Sequence, residues 1–296
     1  NKDKIKYKFK KKGKNISFNT LLEINESPFK IDLFNYQKNE KSNLEIIVNG
    51  NQDLKNNLYF KKISLLENDN KIDIQDLSIS DNLKIQEIKK IDFDYTDKEE
   101  IINKISLIKK KKKYVLIGDT FNTNKLIRSL IDSKNGNNNI FQGNIRLEIE
   151  IDKTYLDKEN KINNLKGYVI LKDNKLLEAY LSSKFLSNKD IKFTVKTIDN
   201  EKITTLFSGE AKPLVSRYKF IKGFDEGSLD FYSSKKDDVT TSTLKIYDFK
   251  LKELPVLTKI LTLASLQGIA DLLSGEGIRF NEFEMNFSNT DQLMKI

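Results

Sequence analysis

Residues 4–10 read KIKYKFK, with Ile5, Tyr7 and Phe9 at alternate positions and lysines between them. A period of two places successive side chains on opposite faces of a strand, so this stretch predicts a β-strand with one dry face and one wet face. The same rhythm continues through Ile16, Phe18 and Thr20, then Phe29, Ile31 and Leu33, then Leu44, Ile46 and Val48, with Asn49-Gly50 as a turn signal. From Leu58 to Tyr95 the apolar pairs are short and closely spaced (Ile72/Ile74, Leu77/Ile79, Leu83/Ile85, Ile91/Phe93/Tyr95), punctuated by Asn and Asp. The expectation is a meander whose strands add in chain order.

Beyond Tyr114 the segments lengthen. Strands are expected at YVLIG (114–118), 144–151, 165–171, 176–185, 191–198, 202–207, 227–232, 243–249 and 278–287. Three of them lead into short apolar inserts with helical spacing, near 123–131, 210–218 and 255–274. A dozen or so strands cannot remain a flat open sheet, so the sheet must curl, split or close. The expected fold is therefore mainly β, a long curled antiparallel sheet forming an open apolar groove with short helical inserts. The change of style near 113 divides it into an N-terminal meander, 1–113, and a C-terminal section, 114–296.

The longest apolar run is LPVLTKILTLASLQGIADLLSGEGIRF (254–280). Twenty residues could cross a bilayer, but Lys259 and Asp271 would each cost up to about 3 kcal/mol near its centre. Two short helices fit better, with Pro255 at a first helical position, Ser265 as a cap and Gly275 as a stop.

Composition narrows the chemistry. The 296 residues are 38% hydrophobic and 32% charged, which suits one-sided sheets with a solvated face. Residues 1–14 carry +7 and Lys109–Lys113 carry +5, which leaves −3 for the rest of the +9 total. The basicity is thus two local runs, and with Arg only at 128, 146, 217 and 279 no nucleic-acid partner is expected. A solvated surface is the ordinary meaning of such runs, and an anionic membrane surface is the alternative. There is no Cys and no His, which removes the commonest general base, soft metal ligands and the Ser-His and Cys-His nucleophile pairs. Asp92/Asp94 and Asp237/Asp238 are the visible carboxylate pairs, and the first alternates as a solvent face does. Gly275-Glu-Gly277 follows a helix pattern instead of opening one, so it is no phosphate loop. No enzyme activity, metal or cofactor is expected. The chain opens on Asn1 and stops at Ile296 as a strand begins, and so reads as an excerpt.

FSGEAKPLV (207–215), GFDEGSLDFY (223–232) and STLKIYDFKLKELPVLTKILTLASLQGIADLLSGEGIRFNEFEMNF (242–287) together resemble the AsmA-like family, in its YhdP-type periplasmic branch. GDTFNTNKLI (118–127) looks like an earlier insert of the same kind, whereas residues 1–110 match only in style. The Lys-Glu pair before Pro255 departs from the small residues more typical there. The resemblance implies a non-enzymatic groove that carries phospholipid acyl chains, part of a bridge between inner and outer membranes. It implies a periplasmic location and an inner-membrane anchor outside this excerpt. Lipid-facing positions would be Leu147, Ile149 and Ile170, then Ile191, Phe193 and Val195, then Leu229 and Phe231. In the last insert they would be Leu257, Ile260, Leu261, Ala264, Ile269 and Leu273. The rival expectation is a closed β-sandwich interaction module whose apolar faces meet and leave no cavity.

Overall fold

A computed structural model describes residues 2–13, 15–126, 144–172, 175–217, 223–252, 277–290 and 294–295. The insert expected at 255–274, with its six candidate lipid-facing residues, lies outside the described residues, as does most of the insert at 123–131. Residues 124–126 are helical. The protein is mainly β, as its alternation predicts. Its contacts divide it into Asn1–Leu176 and Leu177–Ile296. The sequence boundary at 113 falls instead in a hairpin, where Lys113 pairs with Lys110 and the sheet continues across it.

The first unit opens with β1 (Lys4–Lys12) and β2 (Asn15–Ile24). Two short strands, β3 (Lys30–Ile31) and β4 (Tyr36–Gln37), flank a 3₁₀ turn at Asp32–Phe34. A meander follows through β5 (Leu44–Gln52), β6 (Leu58–Glu67), β7 (Asn70–Ile79), β8 (Ile85–Thr96), β9 (Ile102–Lys110) and β10 (Lys113–Asn122). β11 (Asn144–Tyr155) and β12 (Lys161–Lys172) complete the unit. Each strand pairs antiparallel with the next, β2 with β5 across the 25–43 excursion, with one exception. β10 and β11 are parallel, Tyr114 opposite Leu147 and Asn122 opposite Tyr155. A parallel pair needs a crossover of a dozen or more residues, and 123–143 supplies the length. The sheet is therefore mixed, not purely antiparallel.

Bulges account for the broken rhythm between Leu58 and Tyr95. Asp76 sits at φ 49 within β7, so Ile72/Ile74 and Leu77/Ile79 belong to one strand, whose register against β8 shifts between Ser78 and Ile79. Leu83, read as strand, is instead a turn residue at φ 60. The Phe29–Leu33 alternation likewise yields only a two-residue strand before the chain turns through Asn35 at φ 53.

The second unit runs through β13 (Lys175–Phe185, beginning at the boundary), β14 (Asp190–Ile198) and β15 (Glu201–Ser208). A one-turn helix, α1 (Lys212–Val215), sits where the insert at 210–218 was expected. β16 (Phe224–Lys236), β17 (Val239–Leu251), β18 (Ile278–Asn289) and β19 (Met294–Lys295) follow, each pairing antiparallel with its predecessor.

Candidate functional site

Register turns the alternation of single strands into rows that cross the sheet. In the first unit Ile5 stands opposite Leu22, and the row continues through Ile46, Leu65, Ile72, Phe93, Ile105, Gly118 and Ile151 to Leu165. The next row runs from Tyr7 through Thr20, Val48, Ile63, Ile74, Ile91, Leu107 and Leu116 to Ile149. Only Gly118 interrupts the first row with a missing side chain. A Cβ there would stand 2.3 Å from the Lys104 carbonyl oxygen, so close strand approach requires glycine.

One end of these rows is dry. Leu44, Leu65, Ile72, Phe93, Tyr95, Ile105, Phe121 and Ile151 form a buried cluster. The excursion at 25–43 lies on it, contributing buried Tyr36 and half-buried Phe29, Ile31 and Phe34. The Phe34 and Phe93 rings pack at 4.7 Å, and Tyr36 meets Tyr95 edge-on at 5.8 Å. A buried carboxylate fastens the excursion. Glu67, 1% exposed, accepts from the Tyr36 hydroxyl at 2.6 Å, the Asn39 amide at 2.6 Å and the Ser42 hydroxyl. Burial alone would raise its pKa, but the hydrogen bonds from Ser42, Tyr36 and Asn39 outweigh that and hold it below the ordinary value. Burial, together with the Glu67 carboxylate, pushes the Tyr36 phenol upward.

A second polar knot lies at the same end. Asn122 donates to Asp97 at 2.6 Å and to Glu99 at 2.9 Å, and Asn103 accepts the Asn122 amide at 2.8 Å. These groups satisfy one another's hydrogen-bonding capacity. The outer face carries ion pairs along and across strands, such as Lys71–Asp73 within β7 at 3.1 Å and Lys166–Glu150 between β12 and β11 at 2.7 Å. Asp92 belongs to this set, bonded to Ser106 at 2.6 Å and Lys90 at 2.9 Å. Asp237 occupies the β16–β17 turn at φ 53. Among the described residues no group of carboxylates is gathered to hold a metal.

In the second unit one row crosses Leu181, Phe193, Leu206, Phe231, Leu244 and Met285. Its neighbour crosses Ser183, Ile191, Ser208, Leu229, Ile246 and Phe283. Leu229 and Ile246 pack with Ala211, Val215, Phe224 and Phe249 under α1. Phe249 stacks between Phe224 at 5.3 Å and Phe280 at 5.2 Å. Moving along the strands away from α1, the same face turns polar at Thr204, Ser233 and Ser242, then basic where Lys202 stands opposite Lys235. Burial, and then the Lys235 charge, lower the Lys202 pKa.

The candidate positions sort accordingly. Leu147 and Ile149 share the apolar face of the first unit. Ile170 does not, because it pairs with Arg146 and takes the opposite face from Val169 and Leu171. The run YVIL (168–171) is apolar at every position, so alternation there is silent about which side faces in. Ile191, Phe193, Val195, Leu229 and Phe231 share one face of the second unit. The polar knots and the Lys202–Lys235 pair were not anticipated. In β15 the alternation of Ile203 and Phe207 points the other way, yet Phe207 is exposed and Lys202 faces inward.

No family model matches the chain, and neither does any curated protein or any solved structure. Among the described residues no helix is long and apolar enough to cross a membrane.

Proposed function

We propose that this chain is a non-enzymatic lipid-carrying module of the AsmA-like, YhdP-type kind, whose apolar sheet faces hold phospholipid acyl chains. In this reading it belongs to a periplasmic bridge between inner and outer membranes, anchored through a region outside the sequence considered. The observation that carries the proposal is the continuity of the rows, above all Leu181–Phe193–Leu206–Phe231–Leu244 in the second unit. A methylene buried against such a surface gains roughly 0.8 kcal/mol, so an acyl chain binds without any specific polar contact. The gradient along the strands suits an amphiphile. Its tail would lie along Phe193, Leu206 and Phe231, and its phosphate would reach Lys202 and Lys235, whose adjacent charges a shared anion would relieve.

Mass spectrometry of organic extracts from the purified chain tests this. Phospholipid is expected in stoichiometric amount, and the F193D/F231D variant should lose at least most of it while keeping its β circular dichroism. A folded wild-type chain without lipid, or equal lipid in the variant, overturns the proposal. The dry packing beneath residues 25–43 favours a second reading for the first unit, a ligand-free interaction module. Lipid cross-linking confined to the second unit would select it.

A further inference from the structure

The turns of the first unit divide by charge as well as by position. Because the strands alternate in direction, the β1–β2, β5–β6, β7–β8 and β9–β10 turns all lie at one end of the sheet. The 25–43 excursion and the β6–β7, β8–β9 and β11–β12 turns lie at the other. That second end carries Glu67, Asp69, Asp97, Glu99, Glu100 and Asp157 in its turns. The first end carries Lys10, Lys11 and Lys12 on one hairpin and Lys109–Lys113 on another. Of these, Lys109 pairs with Glu87 at 2.9 Å and Lys113 with Glu148 at 2.5 Å. Lys10–Lys12 and Lys110–Lys112 are exposed and have no ion-pair partner among the described residues. The last lysines of the first basic run and the whole of the second therefore lie at one end of one sheet.

The two turns between them in sheet order are tipped by leucine. Leu54 is 62% exposed in the β5–β6 turn, and Leu83 is 74% exposed in the β7–β8 turn. A solvated basic surface has no use for apolar tips flanked by unpaired lysines. An interface with anionic lipid uses both, since the lysines meet headgroup phosphates and the leucines enter the headgroup–acyl boundary. Nucleic acid would profit from aromatic or Arg contacts, and these turns offer neither.

We propose that this end of the first unit docks on an anionic bilayer surface, with Lys10–Lys12 and Lys110–Lys112 on the phosphates and Leu54 and Leu83 inserted. The proposal stands apart from the lipid-carrying reading, because it concerns the turns and not the apolar rows.

Co-sedimentation of the full chain with vesicles tests it. Vesicles of equal parts phosphatidylglycerol and phosphatidylcholine should bind the chain, and pure phosphatidylcholine should not. Each lysine near the surface is worth about a fivefold gain in partitioning, so K110S/K111S/K112S should weaken binding on the order of a hundredfold. L54S/L83S should weaken it as well, with every charge intact, which simple counter-ion attraction does not predict. Circular dichroism unchanged from wild type certifies both variants as folded. Equal binding to the two vesicle types, no binding to either, or indifference to L54S/L83S overturns the proposal. Tighter binding to a DNA duplex than to the anionic vesicles, lost in K110S/K111S/K112S, also overturns it. Lipid retained in the purified chain without vesicle docking would sink this proposal alone, and docking without retained lipid would sink only the other.

Discussion

The apolar rows of the first sheet finish in opposite states at their two ends. On β7, β8 and β11, Ile72, Phe93 and Ile151 are buried beneath Tyr36 and its neighbours; at the β1 end, Ile5, Tyr7 and Phe9 are 59%, 61% and 64% exposed. The rows themselves are no more apolar at the dry end. The excursion at 25–43 lays its aromatic side chains over the first group and not over β1. A one-sided sheet thus has its burial decided by what is laid across it, and here that covering is fastened by the Glu67 carboxylate and, through the amides of Asn25, Glu26 and Ser27, by Asp3.

Removing the covering should have the largest effect. Tyr36 is fully buried, meets Tyr95 and Phe29, and donates to Glu67. Tyr36→Ala deletes the ring and leaves the carboxylate without a donor, and a loss of about 3–5 kcal/mol is expected. Urea titration of the isolated chain measures it. A loss below about 1 kcal/mol would mean that the excursion does not stabilise the dry end.

Glu67→Gln should have a smaller effect that is more informative. The amide nitrogen that replaces one carboxylate oxygen cannot accept, so one of the Tyr36, Asn39 or Ser42 donors loses its partner at a cost of about 1–3 kcal/mol. The pH dependence follows from the sign of the shift. The Glu67 pKa is depressed in the folded protein, so its stabilisation is fully present above the unfolded value of about 4.3 and is lost as pH falls through the folded value. Amide exchange at residues 36–42 should accelerate in that acid range in the wild type. In Glu67→Gln the same amides should exchange faster at neutral pH and lack the acid step. An acid step that survives in the variant would assign it to another carboxylate.

Much of the fold was legible because it rests on a period of two. KIKYKFK, residues 144–151 and residues 191–198 each occupy a strand, and register then carries Leu147, Ile149, Phe193 and Phe231 onto apolar faces without further information. What alternation could not convey was depth. The strictest alternation in the chain, at β1, belongs to its most exposed strand, because burial depends on a covering segment far away in sequence. Continuous apolar runs hide facing, as at Ile170, and a register shift such as the one between Ser78 and Ile79 leaves no mark in the sequence. The Glu67 knot was illegible for a related reason. Tyr36, Ser42 and Glu67 become one site only when β4 and β6 are folded together, and no local pattern links them.

The smallest expected effect lies at the open end. Phe9 contacts Tyr7 at 5.2 Å between ring centroids and otherwise stands 64% exposed, opposite Phe18 on β2. Phe9→Ser removes a large apolar group that the folded state scarcely shields, so the unfolding free energy should change by no more than about 0.5 kcal/mol. The same urea titration that reads Tyr36→Ala reads this variant, and the slope against denaturant should stay that of the wild type, since little surface is newly exposed on unfolding. A loss above about 2 kcal/mol would show that β1 is covered in solution, and it would erase the contrast between the two ends. A null effect on stability, combined with slower release of a bound phospholipid in the wild type than in Phe9→Ser, would locate the use of the open face in what it holds and not in what it stabilises.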